Sequence, residues 1–429
     1  MSFFEALFQN PSVQWVVLGT VGLAVLGSSV GTFNFLQKRS LIGDAVSHAL
    51  LPGICLAFIL KGNKDPLALL VGAFISGWIA LLVIDLIQSK SKTKSDTAIA
   101  IVLSGFFGLG IVFLTLIQSS ENANQAGLDA FLFGNAASIQ KADLLNIAMF
   151  GSFILLSLFL GFRAFKALCF DKDFIAAGGF RVKLIQFWLS SITVLTICLG
   201  VQALGVVLMA ALLITPAVAA RAWTNKLGNL IFLSSGIGII SGFVGAWISY
   251  ESPSMPTGPW VVLTASAIVL VSLVFSPKRG VVPRYFRQKA NQKKIQSENI
   301  LKALFHLEEN SETASTGYSL KDLLSMRAFQ RDQLVGALKA LVRKNLLLEE
   351  DGTYSLSSLG RQKAGKVVRN HRLWELYLTQ YVGMEADHVH EDAEAMEHLI
   401  TPELEKELSK VLNHPEYDPH QRQIPGKHD

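Results

Sequence analysis

Two sets of residues in this chain have the types and the spacing to hold a cation. Asp44 and His48, in Leu41-Ile42-Gly43-Asp44-Ala45-Val46-Ser47-His48-Ala49-Leu50-Leu51-Pro52-Gly53, stand four apart. On a helix their carboxylate and imidazole face the same way. They can share one cation, or the Asp can sit at an interface and simply hydrogen-bond the His. Farther along, His371 and Glu375 are again four apart. His390, Glu394, Glu397 and His398 fall at offsets 0, 4, 7 and 8, within about 100° of one helical face. Imidazoles and carboxylates converging without a thiolate suit a borderline or hard divalent ion such as Mn²⁺, Fe²⁺ or Zn²⁺. The alternative is a set of solvated i,i+4 pairs on an acidic helix.

The two sets lie in surroundings of opposite character. Over 429 residues, apolar types make up 51% and charged types 17%, with a mean hydropathy of +0.40. An ordinary soluble domain has about 25% charged residues, so a wholly soluble, disordered or fibrous chain is excluded. Three cysteines (Cys55, Cys169, Cys198) are too few and too odd in number for a disulfide framework. The net charge of +5 hides a division. Residues 278–299 carry seven basic and one acidic side chain, residues 300–370 are +3, and residues 371–429 are −8. Eight of the nine histidines lie beyond residue 300. Asp44 and His48 therefore belong to an oily part, and the second set to a charged, imidazole-rich one.

Long uncharged runs recur through the oily part: Val13–Gln37, Ala45–Leu60, Pro66–Ile84, Thr97–Ser120, Leu144–Phe162, Leu184–Gln202, Ala203–Ala220, Leu227–Tyr250 and Pro259–Ser276. Most reach the ~20 residues a bilayer crossing needs; Ala45–Leu60 is shorter and holds His48 and Pro52, yet fits as one more span. No Lys or Arg precedes Lys38, so a cleavable signal peptide is not expected. Alternate loops hold twelve Lys and Arg on one side, against Lys61, Lys64 and Lys141 on the other. The larger set belongs inside, which places the N-terminus outside and the basic stretch Lys278–Lys294 at the inner face, where anionic membrane lipids attract it. The sequence predicts an all-α polytopic membrane protein of about nine transmembrane helices with a cytoplasmic C-terminal part. Its expected divisions are a transmembrane domain at 1–277, a basic juxtamembrane linker at 278–298, a winged helix-turn-helix at 299–370 and a helical metal-sensing and dimerisation region at 371–429. An Asp at the centre of a span costs roughly 2.5–3.5 kcal/mol on insertion scales, so Asp44 needs a reason to be there.

The stretch Arg39–Gly53 closely resembles a segment of the permease subunits of zinc/manganese/iron ABC importers. Leu132-Phe133-Gly134, Ala210-Ala211-Leu212-Leu213-Ile214-Thr215-Pro216-Ala217, and Ser249-Tyr250 followed by Pro256-Thr257-Gly258-Pro259 resemble further segments of that family, in the same order over residues 13–277. The resemblance implies that Asp44 and His48 help bind the transported ion in mid-membrane. Cys169-Phe170-Asp171-Lys172-Asp173-Phe174-Ile175-Ala176-Ala177-Gly178-Gly179 resembles the family's coupling segment, with Phe170, Asp171, Asp173, Ala176 and Gly178 against a cytoplasmic ATPase subunit; the plain reading is an ordinary polar loop. No Gly-x-x-x-x-Gly-Lys-Ser/Thr occurs in the sequence, so no nucleotide cradle is expected and the ATPase must be a separate chain. The expected partners are that ATPase, an extracytoplasmic metal-binding protein and a second permease copy, identical or homologous.

In the C-terminal part, Asn299–Glu309 reads as an amphipathic helix, and Ser319-Leu320-Lys321-Asp322 as a capping box opening a short second helix. Arg331–Asn345 spaces Leu334, Val335, Leu338, Leu341 and Val342 as a third helix. Leu346–Leu356 reads as two strands joined through Asp351-Gly352. That order is a winged helix-turn-helix. Its Arg331, Lys339, Arg343 and Lys344 suit DNA phosphates, or are merely the solvated face of a protein-docking module.

His371-Arg372-Leu373-Trp374-Glu375-Leu376-Tyr377-Leu378, Val389–His398, His414-Pro415 and Ile424-Pro425-Gly426 resemble the diphtheria-toxin-repressor family of iron- and manganese-dependent repressors, over residues 296–426. The resemblance implies a regulatory metal site at His371, Glu375, His390, Glu394, Glu397 and His398, with Glu394 where manganese-type members carry Glu and iron-type members Cys. It also places Asn299 and Lys302 where manganese-type members carry acidic ligands, and an ammonium group there opposes a complete two-metal site. Together the resemblances imply the permease subunit of an importer of Mn²⁺, or of Zn²⁺ or Fe²⁺, in a bacterial inner membrane, with no enzymatic activity of its own and a fused cytoplasmic metal sensor. The alternative is a membrane-tethered, metal-dependent transcriptional regulator that binds DNA.

Overall fold

In the computed structural model, each of the nine apolar runs is a helix. It describes residues 2–426 except 64, 120–133, 135, 137–138, 253–254, 312–316, 327–328 and 386–388, so Leu132 and Phe133 lie outside the described residues. A short α1 (Phe3–Gln9) leads into α2 (Pro11–Leu36), α3 (Ile42–Lys61), α4 (Pro66–Lys90), α5 (Ser95–Gln118), α6 (Lys141–Phe170) and a one-turn α7 (Lys172–Ala177). Then follow α8 (Val182–Leu204), α9 (Val206–Trp223), α10 (Leu227–Glu251) and α11 (Thr257–Phe275). Among the described residues, nine of these are long and apolar enough to cross a bilayer, including the short run around His48 and Pro52. Local chemistry sets their starts. Pro11 and Pro66 open α2 and α4, behind Asn10 and Asp65, whose side chains accept from the N–H of Ser12 and Leu67.

Lipid tails are as apolar as leucine, so these helices are held by close packing and hydrogen bonds rather than by escape from water. The most buried are α2 and α3: α2 packs on α6, α8, α9 and α10, and α3 on α4, α5 and α9. Small residues allow this. A Cβ on Gly53 would lie 2.1 Å from the Gly72 carbonyl oxygen, and one on Gly72 2.4 Å from that of Gly53, so the α3 and α4 backbones touch there. Side chains bridge other pairs: Asn34 Nδ2 donates to Thr193 Oγ1 (3.2 Å), Trp188 Nε1 to Ser157 Oγ (2.7 Å) and Trp78 Nε1 to Ser191 Oγ (3.0 Å). Arg39 and Asp85 pair at 2.8 Å.

The chain forms two compact units, residues 1–284 and 285–429. The helix expected at Asn299–Glu309 begins at Val281: α12 (Val281–Asn310) takes up most of the basic stretch as continuous helix. Next come β1 (Tyr318–Ser319), α13 (Leu320–Met326), α14 (Arg331–Arg343), β2 (Leu347–Glu350) and β3 (Thr353–Leu356). Ser319 and Asp322 close the capping box, with Ser319 N–H donating to Asp322 Oδ2 at 2.7 Å. Asp351 (φ 48°) and Gly352 (φ 75°) make the two-residue turn with both φ positive that an Asp-Gly pair favours. The sheet order is β1-β3-β2, antiparallel throughout, and Ile300, Leu304, Leu334, Leu338, Leu341 and Leu356 fill the space beneath it. The two-residue β1 is too short to leave a period in the sequence.

Helix α15 (Ser358–Tyr377) runs through residue 370, where the sequence suggested a division, and a π-helical turn (Leu378–Val382) extends it. After it come α16 (His390–Met396) and α17 (Pro402–Val411), the latter capped by Thr401 with Pro402 in its first turn. Arg372 on α15 is 1% exposed. Its guanidinium holds Glu309 of α12 with bonds of 2.6 and 3.1 Å, reaches Asp418 at 3.4 Å and donates to the Gln423 carbonyl.

Two predictions follow from this packing. Gly53→Val should abolish the monodisperse, detergent-soluble fraction of the chain, measured by size-exclusion chromatography. Gly105→Ala, whose Cβ meets nothing within 4 Å, should leave that fraction intact. Arg372→Met strands buried carboxylate charge and should cost about 3 kcal/mol of local stability, read as lost hydrogen-exchange protection of α15 in the full chain.

Candidate metal centre

In the first unit, Asp44 lies in the first turn of α3 and His48 one turn on. His48 Nε2 is 3.5 Å from Asp44 Oδ1, and the imidazole packs edge-on to the Phe107 ring with centroids 4.8 Å apart. His48 Nδ1 is buried and without a hydrogen-bond partner. Gly43, just before, is pressed on α9 at Ala210 and Leu213. The pair is thus two donors on one helical face, with one imidazole nitrogen left unsatisfied in an apolar wall. Such an arrangement suits passing contact with a cation, not a closed cage.

Phe170 is the last residue of α6 and exposed; Asp171 follows it as the cap. Asp173 and Ala176 lie exposed on α7, which is anchored by buried Ile175, and Gly178 is exposed just beyond. Gly179 takes φ +78° and donates to the Ala176 carbonyl (3.1 Å), ending the short helix in a turn that only glycine enters freely. The segment is a knob that presents Phe170, Asp173, Ala176, Gly178 and Phe180 outward around buried Ile175.

In the second unit, among the described residues, three of the six expected regulatory residues bring their ligating atoms within 4.8 Å of one another, and Glu397 and His398 lie behind them, Glu397 against His371 and His398 against Glu397. His371 and Glu375, on α15, are both nearly fully buried; His390, at the start of α16, is largely exposed. Their ligating atoms form a triangle. His371 Nε2 to Glu375 Oε1 is 3.0 Å, His390 Nδ1 to the same oxygen 3.0 Å, and His371 Nε2 to His390 Nδ1 3.1 Å. Protons satisfy that triangle only in part: if one imidazole nitrogen keeps its lone pair, that lone pair faces the Glu375 oxygen at 3.0 Å. If both imidazoles donate to Glu375, two N–H groups confront each other across 3.1 Å. A cation lets all three atoms turn lone pairs toward a common centre, as the two-histidine, one-carboxylate facial arrangement does. A cavity of about 400 Å³ lined by His390, Glu394, His306 and Lys302 adjoins them, leaving room for water as further ligands.

Glu397 and His398 fall in the turn after α16, which ends at Met396. Glu397 Oε2 lies 2.6 Å from His371 Nδ1, behind the triangle, and 2.7 Å from Lys302 Nζ. His398 turns to Glu298 (2.7 Å) and Asn299 (3.0 Å) on α12. The spacing of a single helix puts Glu394, Glu397 and His398 on one face; the helix ends at Met396, Glu397 Oε2 turns to His371 and Lys302, and His398 Nε2 stays 3.4 Å from Glu397 Oε1. Glu298 and His306 had no signal in the sequence beyond lying one turn either side of Lys302.

Burial penalises charge on Glu375, but the hydrogen bonds from His371 and His390 outweigh it and hold that carboxyl far below the usual range. Glu397 is lowered against the same penalty by His371 and Lys302. Burial alone would depress His371; Glu375 and Glu397 overcome it and raise its imidazolium. His306, buried near Lys302 and Arg372, is pushed down to about 4 and is neutral at pH 7.

Residues 9–276 match the ABC 3 transport family, and residues 357–426 match the iron dependent repressor metal binding and dimerisation domain. The chain is 37% identical over 379 residues to the manganese transport system membrane protein of Bacillus subtilis, covering 87% of this chain and 86% of that one. It is 43% identical over 283 residues to the zinc transport system membrane protein of Treponema pallidum, covering 66% of this chain and 95% of that one. Among solved structures, PsaBC from Streptococcus pneumoniae in complex with Fab superposes with a TM-score of 0.59 at 33% identity, covering 67% of this chain and 98% of that one.

The triangle generates a prediction. Removing one of its ligands, by His390→Ala or Glu375→Gln, should weaken Mn²⁺ binding to the full chain by more than the roughly 10–100-fold typical of an orienting group. His398→Ala should leave it unchanged. Equilibrium dialysis of the detergent-solubilised protein checks both.

Proposed function

The chain belongs to the ABC 3 transport family, and on that premise we propose that it carries Mn²⁺ across the membrane, with Zn²⁺ and Fe²⁺ the ions next in order. It is a permease of the metal ABC importer class fused to a repressor-type domain. The observation that favours Mn²⁺ is the extent of the likeness to the Bacillus subtilis protein, which continues past the membrane unit over most of both chains. The repressor-type site supports the same choice, since two imidazoles and a carboxylate without thiolate favour a borderline or hard ion.

In this reading Asp44 and His48 touch the ion as it passes. Their mutual facing and the unsatisfied His48 Nδ1 support that role. ATP hydrolysis falls to a separate cytoplasmic subunit docked on the knob at Phe170–Gly178, and an extracytoplasmic binding protein delivers the ion to a pair of permease chains. The C-terminal unit, on the cytoplasmic side with the basic stretch near anionic lipid, binds the imported ion at His371, Glu375 and His390 and limits further import. Ion binding there draws α15 and α16 together, which is a mechanical signal available to the permease or its ATPase.

Asp44→Ala and His48→Ala should each lower ⁵⁴Mn²⁺ uptake at least tenfold in cells expressing the importer, with unchanged membrane expression of the chain. Wild-type uptake by both variants would remove the pair from the path.

A further inference from the structure

Lys302 is a buried cation placed among groups that would otherwise attract a second metal ion. It sits on α12 among Ile300, Leu301, Ala303 and Leu304, and is 5% exposed. Its Nζ lies 2.7 Å from Glu397 Oε2 and 3.1 Å from His371 Nδ1. Glu397 is 2% exposed and cannot keep its charge there without a positive partner. The other oxygen, Glu397 Oε1, has His398 Nε2 at 3.4 Å, and that nitrogen is within 3.0 Å of Asn299 Oδ1.

We propose that the Lys302 ammonium is the resident cation of this half of the cluster, so that the domain takes one divalent ion, at His371, Glu375 and His390, and not two. This rests on the reading of that triangle as a metal site. It also assigns Glu397 a different part from its neighbours. When an ion takes the lone pair of His371 Nε2, the ring proton must be on Nδ1, and Nδ1–H then donates to Glu397 Oε2 at 2.6 Å. Glu397 is a positioning residue: it fixes the tautomer and the ring's aim from behind, as a carboxylate does in carboxylate–histidine–metal triads. Lys302 keeps Glu397 ionised for that task and fills the space with charge of the same sign as a metal. A second ion beside Glu397 and His371 Nδ1 would have to displace a tethered ammonium.

The test counts ions on the full detergent-solubilised chain, with Asp44→Ala and His48→Ala in every sample so that no ion of the transport path is counted. Mn²⁺ per chain is measured by equilibrium dialysis and by the loss of the free Mn²⁺ electron-spin-resonance signal. One ion per chain is expected, falling to none with His390→Ala. Lys302→Glu, which replaces the ammonium by a carboxylate, should raise the count to two. Two ions in the chain that retains Lys302, or one ion in a Lys302→Glu chain whose α15 keeps its hydrogen-exchange protection, overturns the proposal. No ions in the chain that retains Lys302 overturns the metal-site reading and this proposal with it. Should Lys302→Glu fail to fold, the neutral double variant Lys302→Met with Glu397→Gln removes both charges together. It should bind one ion 10–100-fold more weakly with α15 protection intact; unchanged affinity would overturn the role given to Glu397.

Discussion

Between α12, α15 and the turn after α16, a carboxylate is held out of water, and the Lys302 ammonium and the Nδ1 edge of His371 both reach its Oε2. A buried charge stripped of its partner costs several kcal/mol, so these three side chains must move together or not at all. Their contact fixes the register of the C-terminal unit. It ties α12 to α15, brings the end of α16 against both, and aims the far edge of His371 at Glu375 and His390. A second tie, Arg372 with Glu309 and Asp418, leaves α15 from the neighbouring position, joins it again to α12 and holds the tail. The helix that carries two metal-type residues is thereby clamped before any ion arrives.

The same rule operates in the membrane unit with the opposite balance. Few ionisable groups are admitted, and helices meet through glycines and serine or threonine hydroxyls in place of ion pairs. Against that background Asp44 and His48 stand out: Asp44 sits in the first turn of α3, where the helix N-terminus favours a carboxylate, and His48 lies 3.5 Å from it against Phe107. The chain thus carries two arrangements of similar side-chain types that differ in how fully each is supported by its neighbours.

Much of the architecture was legible because its signals are periodic or punctuated. Among the described residues the nine uncharged runs are nine helices, and Ser319-x-x-Asp322 and Asp351-Gly352 marked a cap and a turn that the structure reproduces. Continuity was harder to read. Charged residues 281–298 lack an apolar stripe, so nothing in their pattern announced that α12 begins at Val281. The site was legible only in part for a related reason. Helical spacing put His390, Glu394, Glu397 and His398 on one face, but periodicity carries no mark for the turn that ends α16 at Met396 and sends His398 to Glu298. Long-range partners such as Lys302 and Glu397, 95 residues apart, leave no local trace at all.

If the C-terminal triangle limits import, the most direct measurement is Mn²⁺ uptake by the complete importer in vesicles, with ATP present and the Mn²⁺ concentration varied on the side of the C-terminal unit. Uptake by the chain with an intact triangle should fall as that concentration rises, and the fall should vanish with His390→Ala while the initial rate at low metal stays the same. Identical inhibition of both chains, or none in either, would contradict the linkage between the two units.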